Sequence, residues 1–98
     1  MTFEWNERKN RINIRKHGLS FEKAVRVFDD EDAVEVYDDL HSTSEERYII
    51  IGRIAEMLVI TVVCTYRDPE IVRIISARQA KTKEKEDYYG TYQKNHLG

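Results

Sequence analysis

The stretch ERYIIIGRIAEMLVITVVCTYRDPEIVRIISAR, Glu46–Arg78, holds three runs of Ile, Val and Tyr broken by short polar interruptions. It predicts three strands, at Glu46–Ile54, Met57–Tyr66 and Ile71–Ala77. The first two are apolar on both faces, as central strands of a covered sheet must be. Arg67-Asp68-Pro69-Glu70 holds the only proline and reads as the turn between the second and third runs. Upstream, Ala33–Tyr37 adds a strand, followed by a polar loop over Asp38–Glu45. These spacings predict a four-stranded antiparallel meander.

The flanks predict helices. Phe3–Trp5 alternates apolar residues as a short first strand, and Asn6 caps a helix that runs to about His17 and stops at Gly18. On that helix Trp5 and Ile12, with the stems of Lys9 and Lys16, form one stripe expected to pack. Asn6, Asn10, Asn13 and His17 form a second stripe, and Arg8, Arg11 and Arg15 a third. Ser20 caps a second helix whose Phe21, Ala24, Val25 and Phe28 fall at core-facing spacing, and Asp29-Asp30-Glu31-Asp32 ends it. Thr82–Asn95 is helical in composition, but Gly90 and a thin apolar stripe leave it loosely held or completed by a partner. The whole is a single α+β domain of 98 residues.

Charge is segregated. Residues 1–28 hold seven Lys/Arg against three Glu, residues 29–46 hold nine Asp/Glu and no Lys/Arg, and residues 47–98 hold nine Lys/Arg against six Asp/Glu. The net −2 therefore conceals basic segments that a polyanion could meet. No apolar run is long enough to span a bilayer and Met1–Trp5 is unlike a secretory leader, so the expected location is cytoplasmic. A lone Cys64 excludes an intrachain disulfide and a cysteine-built zinc site.

Strand alternation puts Arg73 with Ile71 and Ile75, and Arg78 on the opposite face with Ile74 and Ser76. A turn that sets odd residues opposite odd ones would place Arg73 beside Thr65 and Arg67. Buried arginines need partners, so Arg67, Arg73 and Arg78 either pair with Glu35, Glu46 or Glu70 or form a guanidinium cluster for phosphate. Arg15-Lys16-His17-Gly18 is a cationic helix end: ordinary capping electrostatics accounts for it, and a general acid there is the sharper alternative. His41 and His96, in loop and tail, receive no role. The carboxylates at 29–32 lack the spacing of metal ligands and read as a helix stop and surface charge. No glycine-rich phosphate loop, G-x-S-x-G or H-E-x-x-H is present.

Taken together, Phe3–Asn10, Asn13–Ala24, Glu46–Gly52 and Arg73–Arg78 with Tyr88 resemble the BrnT family of toxins, and the pairing of Lys16-His17-Gly18-Leu19-Ser20-Phe21-Glu22 with Arg73-Ile74-Ile75-Ser76-Ala77-Arg78 is the more specific part. Asn6 stands where the family often has aspartate, and Lys23 where glutamate is common, which removes the capping box at Ser20. The resemblance implies a RelE-like fold: an antiparallel sheet with two N-terminal helices and one C-terminal helix. It also implies a metal-independent endoribonuclease without cofactor. The expected partners are RNA and a BrnA-like ribbon-helix-helix antitoxin, with promoter DNA bound only through that complex, in which the toxin could form a homodimer.

For such cleavage Arg67, Arg73 and Arg78 would stabilise charge on the phosphorane, with Lys16 at the edge and His17 or Glu46 moving protons. Arg8, Arg11 and Arg15 would hold RNA, and Tyr66 and Tyr88 would stack bases or relay protons. A catalytically silent binding module is the alternative from a different class. A nuclease using the 29–32 carboxylates with Mg²⁺ is a third.

Overall fold

A computed structural model describes residues 1–97. Its elements are β1 (Thr2–Glu4), α1 (Glu7–His17), α2 (Phe21–Ala24) running into a 3₁₀ turn (Val25–Asp29), β2 (Val34–Tyr37), β3 (Tyr48–Ala55), β4 (Leu58–Asp68), β5 (Ile71–Gln79) and α3 (Thr82–His96). The five strands lie in the order β1-β5-β4-β3-β2. β2 to β5 form the expected antiparallel meander, and β1 adds to its far edge in parallel with β5, Phe3 opposite Val72.

Helices cover both faces. Leu19, Phe21, Ala24 and Val27 pack with Ile50, Ile60, Val62, Cys64, Val72, Ile74 and Ala77 into the larger core. On the opposite face Tyr88 of α3 meets Ile51, Val59 and Ala80. The second helix is shorter than its periodicity suggests. It tightens to 3₁₀ after Ala24, so the fully buried residues recur every third position, at Phe21, Ala24 and Val27, while Val25 and Phe28 are only half-buried. Gly52 permits this close packing, because a Cβ there would lie 2.5 Å from Val27 Cγ2.

α1 packs by an unexpected stripe. Its buried residues are Asn10 and Asn13, whereas Ile12 and Ile14 are exposed. Asn10 accepts from the Phe21 N–H and donates to Glu7 and Glu22. Asn13 donates to the Leu19 and Ala77 carbonyls and accepts from the Ala77 N–H. The edge of β5 is thus completed by an asparagine side chain beyond the point where β1 ends. Satisfying two buried backbone groups outweighs burying one isoleucine. Asn6 caps α1 through the Lys9 N–H, Gly18 ends it at φ 68°, and Ser20 still caps α2 through the Lys23 N–H.

α3 is not loosely held. Tyr88 is entirely buried and donates to Asp30 Oδ2 at 2.6 Å, and that same oxygen accepts from the Arg53 N–H on the stretch of β3 that β2 leaves unpaired. Asp32 accepts from Asn95 and lies 3.0 Å from His96 Nε2, and His96 stacks on Tyr92. The Asp29–Asp32 run does stop the helix, with Asp29 and Glu31 exposed as surface charge, but Asp30 and Asp32 also clasp the end of the 3₁₀ turn to α3. Burial, with Asp30 as acceptor, pushes the Tyr88 phenol up, and the hydrogen bond from His96 holds Asp32 below the usual carboxylate range.

Candidate active site

The register of β5 corrects the expected separation of its arginines. Thr65 pairs with Arg73, in the odd-to-odd register, but Cys64 pairs with Ile74 while Val63 pairs with Ser76. Ile75 is the extra residue of a β-bulge, and past it the alternation inverts. Ala77 joins Ile74 in the larger core, and Arg78 turns onto the face of Arg73. A second irregularity, between Tyr66 and Asp68, leaves Arg67 without a direct partner, and its side chain reaches the same face.

The carboxylates that meet these arginines are not those expected. Arg67 donates to Glu4 Oε1 at 2.8 Å, and Arg73 lies 3.8 Å from that oxygen, so two guanidinium groups share one carboxylate. Arg78 is held by both oxygens of Glu84, at 2.7 and 3.0 Å. Glu84 also accepts from Thr61 Oγ1 and the Lys81 N–H at the start of α3. The Arg78 hydrogen bonds hold its carboxyl at about 2, well below an ordinary 4.5.

Beside Arg78 the same face opens into a hollow of about 370 Å³ lined by Ile49, Val63, Ile75, Ser76, Arg78 and Arg47, with Asp38, Leu40 and His41 of the β2–β3 loop at its side. Arg47 is a resource that sequence reasoning passed over. Its Nε is buried and makes no hydrogen bond, and Glu45 at 3.5 Å is within ion-pair range but is not aligned to accept. The only sequence signal was its place one residue before the apolar run of β3, on the alternation shared by Ile49.

The other expected residues are distributed elsewhere. Lys16 and His17 are exposed at the end of α1, one turn past Asn13, and do not line the hollow. Arg8, Arg11 and Arg15 are exposed along α1. The Glu46 side chain is exposed, and its carbonyl accepts from Thr65 Oγ1 at 2.7 Å. Tyr66 projects to the opposite sheet face, where it packs edge-on against Tyr48 and donates to Glu35. Tyr88 is a core residue with no face free for a base. His41, given no role from sequence, stands at the hollow with Nδ1 2.9 Å from Asp38 Oδ2. Among the described residues no three His, Cys, Asp or Glu side chains gather as metal ligands, and no helix is long and apolar enough to cross a membrane.

This arrangement offers guanidinium groups, an apolar floor and an imidazole around one hollow of the sheet face that α3 covers only in part, the donor set that binds and polarises a phosphodiester. Residues 5–84 match the family model described as the ribonuclease toxin BrnT of type II toxin–antitoxin systems. No curated protein matches the chain significantly. The fold is similar to the crystal structure of the Brucella abortus ribonuclease toxin BrnT, with a TM-score of 0.66 and 26% identity over 84% of this chain and 99% of that one. The chain, with its α+β sheet, its three helices and its arginine-bearing face, belongs to the BrnT family of ribonuclease toxins of type II toxin–antitoxin systems.

Proposed function

We propose that this protein is a metal-independent endoribonuclease that cuts RNA to arrest translation and growth, and that the hollow beside Arg78 receives the scissile phosphate. The observation that carries the reading is the bulge at Ile75, which brings Arg73 and Arg78 onto one face with Arg47 and Arg67. Arg73 and Arg78 stand roughly 15 Å apart along the strand. That is more than one phosphate spans, so Arg47 and Arg78 would meet the reacting phosphate and Arg67 and Arg73 a neighbouring one.

In the cleavage, the 2′-oxygen attacks phosphorus, the P–O5′ bond breaks, and Arg78 with Arg47 takes up charge on the phosphorane. The products are a 2′,3′-cyclic phosphate and a 5′-hydroxyl. Lys16, His17 and the arginines of α1 belong to the approach of the RNA strand; Glu46, the base expected from sequence, is exposed on the side of Tyr48 and does not line the hollow, so solvent takes the 2′-hydroxyl proton. A cytoplasmic location and a BrnA-like ribbon-helix-helix antitoxin complete the reading, and a neighbouring reading frame encoding such a protein is the simplest check on the partner.

The carboxylates already touching Arg67, Arg73 and Arg78 favour the alternative, a silent module that only holds nucleic acid or antitoxin. Incubating the purified protein with labelled RNA in EDTA separates the two. Cleavage leaving a cyclic-phosphate end is the expected result. Retention that weakens steeply with salt, without cutting, would replace the enzyme by the module, and activity that returns only with Mg²⁺ would remove metal independence.

A further inference from the structure

We infer that His41, oriented by Asp38, is the general acid of the hollow, delivering a proton to the departing 5′-oxygen; this rests on the nuclease reading above. The β2–β3 loop is folded back on itself. The Asp38 N–H donates to the Arg47 carbonyl at 2.9 Å, carrying the ladder past Tyr37 and Tyr48. The Ser42 N–H donates to the Asp38 carbonyl at 3.0 Å, and Ser42 Oγ accepts from the Arg47 N–H at 2.9 Å. These bonds fix Asp38 and His41 against Arg47.

Within the loop, the Asp38 side chain is only 10% exposed while His41 is 65% exposed. An ionised carboxylate can only accept, so the 2.9 Å contact assigns the proton to His41 Nδ1 and leaves Nε2 as the group that exchanges protons with whatever occupies the hollow. The imidazole thus has an orienting carboxylate behind it and guanidinium groups of Arg47 and Arg78 lining the same hollow. His17, the imidazole singled out from sequence, has no hydrogen-bond partner among the described residues and does not line the hollow.

The step balances. The 2′-oxygen forms a bond to phosphorus and gives its proton to solvent, the P–O5′ bond breaks, and the proton on His41 Nε2 passes to O5′, leaving neutral imidazole and a 5′-hydroxyl. The plainer role for the pair is a loop staple, and the two roles separate on the leaving group. A sulfur at the 5′ position departs without protonation, so it needs no acid.

The test compares single-turnover cleavage, in EDTA, of an ordinary RNA and the same RNA with a bridging 5′-sulfur at the scissile bond. His41→Gln keeps an N–H donor for Asp38 but has no titratable proton. It is expected to lose about 10²–10⁴-fold on the oxygen substrate, the usual contribution of general acid catalysis, and to approach the wild-type rate on the sulfur substrate with RNA retention unchanged. Asp38→Asn, which removes the orienting carboxylate and its charge but keeps the imidazole, should show a smaller loss that the sulfur substrate also recovers. Wild-type rates for His41→Gln on ordinary RNA, or equal losses on both substrates, would overturn the assignment while leaving the nuclease reading intact. Absence of cutting by the wild type on both substrates would overturn both.

Discussion

In the proposed mechanism Arg78 stabilises charge on the phosphorane, and in the fold it holds Glu84, so its substitution has two consequences. Removing one preorganised donor of charge typically lowers a rate by about 10²–10³-fold, so Arg78→Ala should relieve growth arrest on induction and abolish most RNA cutting. The same change strips Glu84 of its bidentate partner, leaving Thr61 and the Lys81 N–H. Arg78→Lys restores a charge without the fork, and circular dichroism on both variants distinguishes a folded, inactive protein from an unfolded one. A folded Arg78→Ala protein that still arrests growth would take Arg78 out of the site. Glu84 itself makes a pH prediction. Its pKa falls from 4.5 to about 2 on folding, so its contribution to stability is complete above 4.5 and drains away as pH falls toward 2. The wild type should exceed Glu84→Gln in stability at neutral pH, by less than the full linkage of about 1.4 kcal/mol per pKa unit because solvent screens the partly exposed pair. The gap should close on acidification, as denaturant melts across that range would report.

Two glycines make opposite predictions about the elements that carry them. Gly90 lies within α3 with open space where a Cβ would go, so Gly90→Ala should raise stability by about 0.5–1 kcal/mol, seen as a higher Tm. Gly52 on β3 lies under the 3₁₀ turn, and the added methyl of Gly52→Ala would sit 2.5 Å from Val27 and 3.1 Å from the Ala33 Cβ. That substitution should cost about 1–3 kcal/mol, the range for overpacking. The same close approach explains why the second helix was legible as a core-facing segment but not in its pitch. Phe21 and Ala24 announce an amphipathic helix, and only the sheet beneath them selects the tighter turn that buries Val27 instead of Val25. In α1 the stripe expected to pack was misassigned for a related reason. Nothing in Asn10 or Asn13 reveals that the edge of β5 needs a donor and an acceptor at Ala77.

The molecule as a whole depends on a sheet covered on both faces. Ile50 is 4% exposed in the strand between β2 and β4, so Ile50→Asp should abolish soluble expression by burying an unpaired carboxylate. A soluble, active Ile50→Asp protein would contradict the central place of β3. The strands, the meander and the caps at Asn6, Gly18 and Ser20 follow from local patterning, since alternation and capping depend on residues within a few positions of one another. The family followed from segments spread along the chain. The partners of the arginines did not, because Glu4 reaches Arg67 across 63 positions and that neighbourhood exists only once β1 lies beside β5. The bulge at Ile75 is likewise invisible in a run of residues 71–78 that holds no glycine or proline to mark it, yet it sets which face Arg78 occupies. Hydrophobic periodicity writes secondary structure into the chain, whereas the convergence of Arg47, Arg78 and His41 on one hollow is a property of strand register and loop closure, which arise only when distant segments pair.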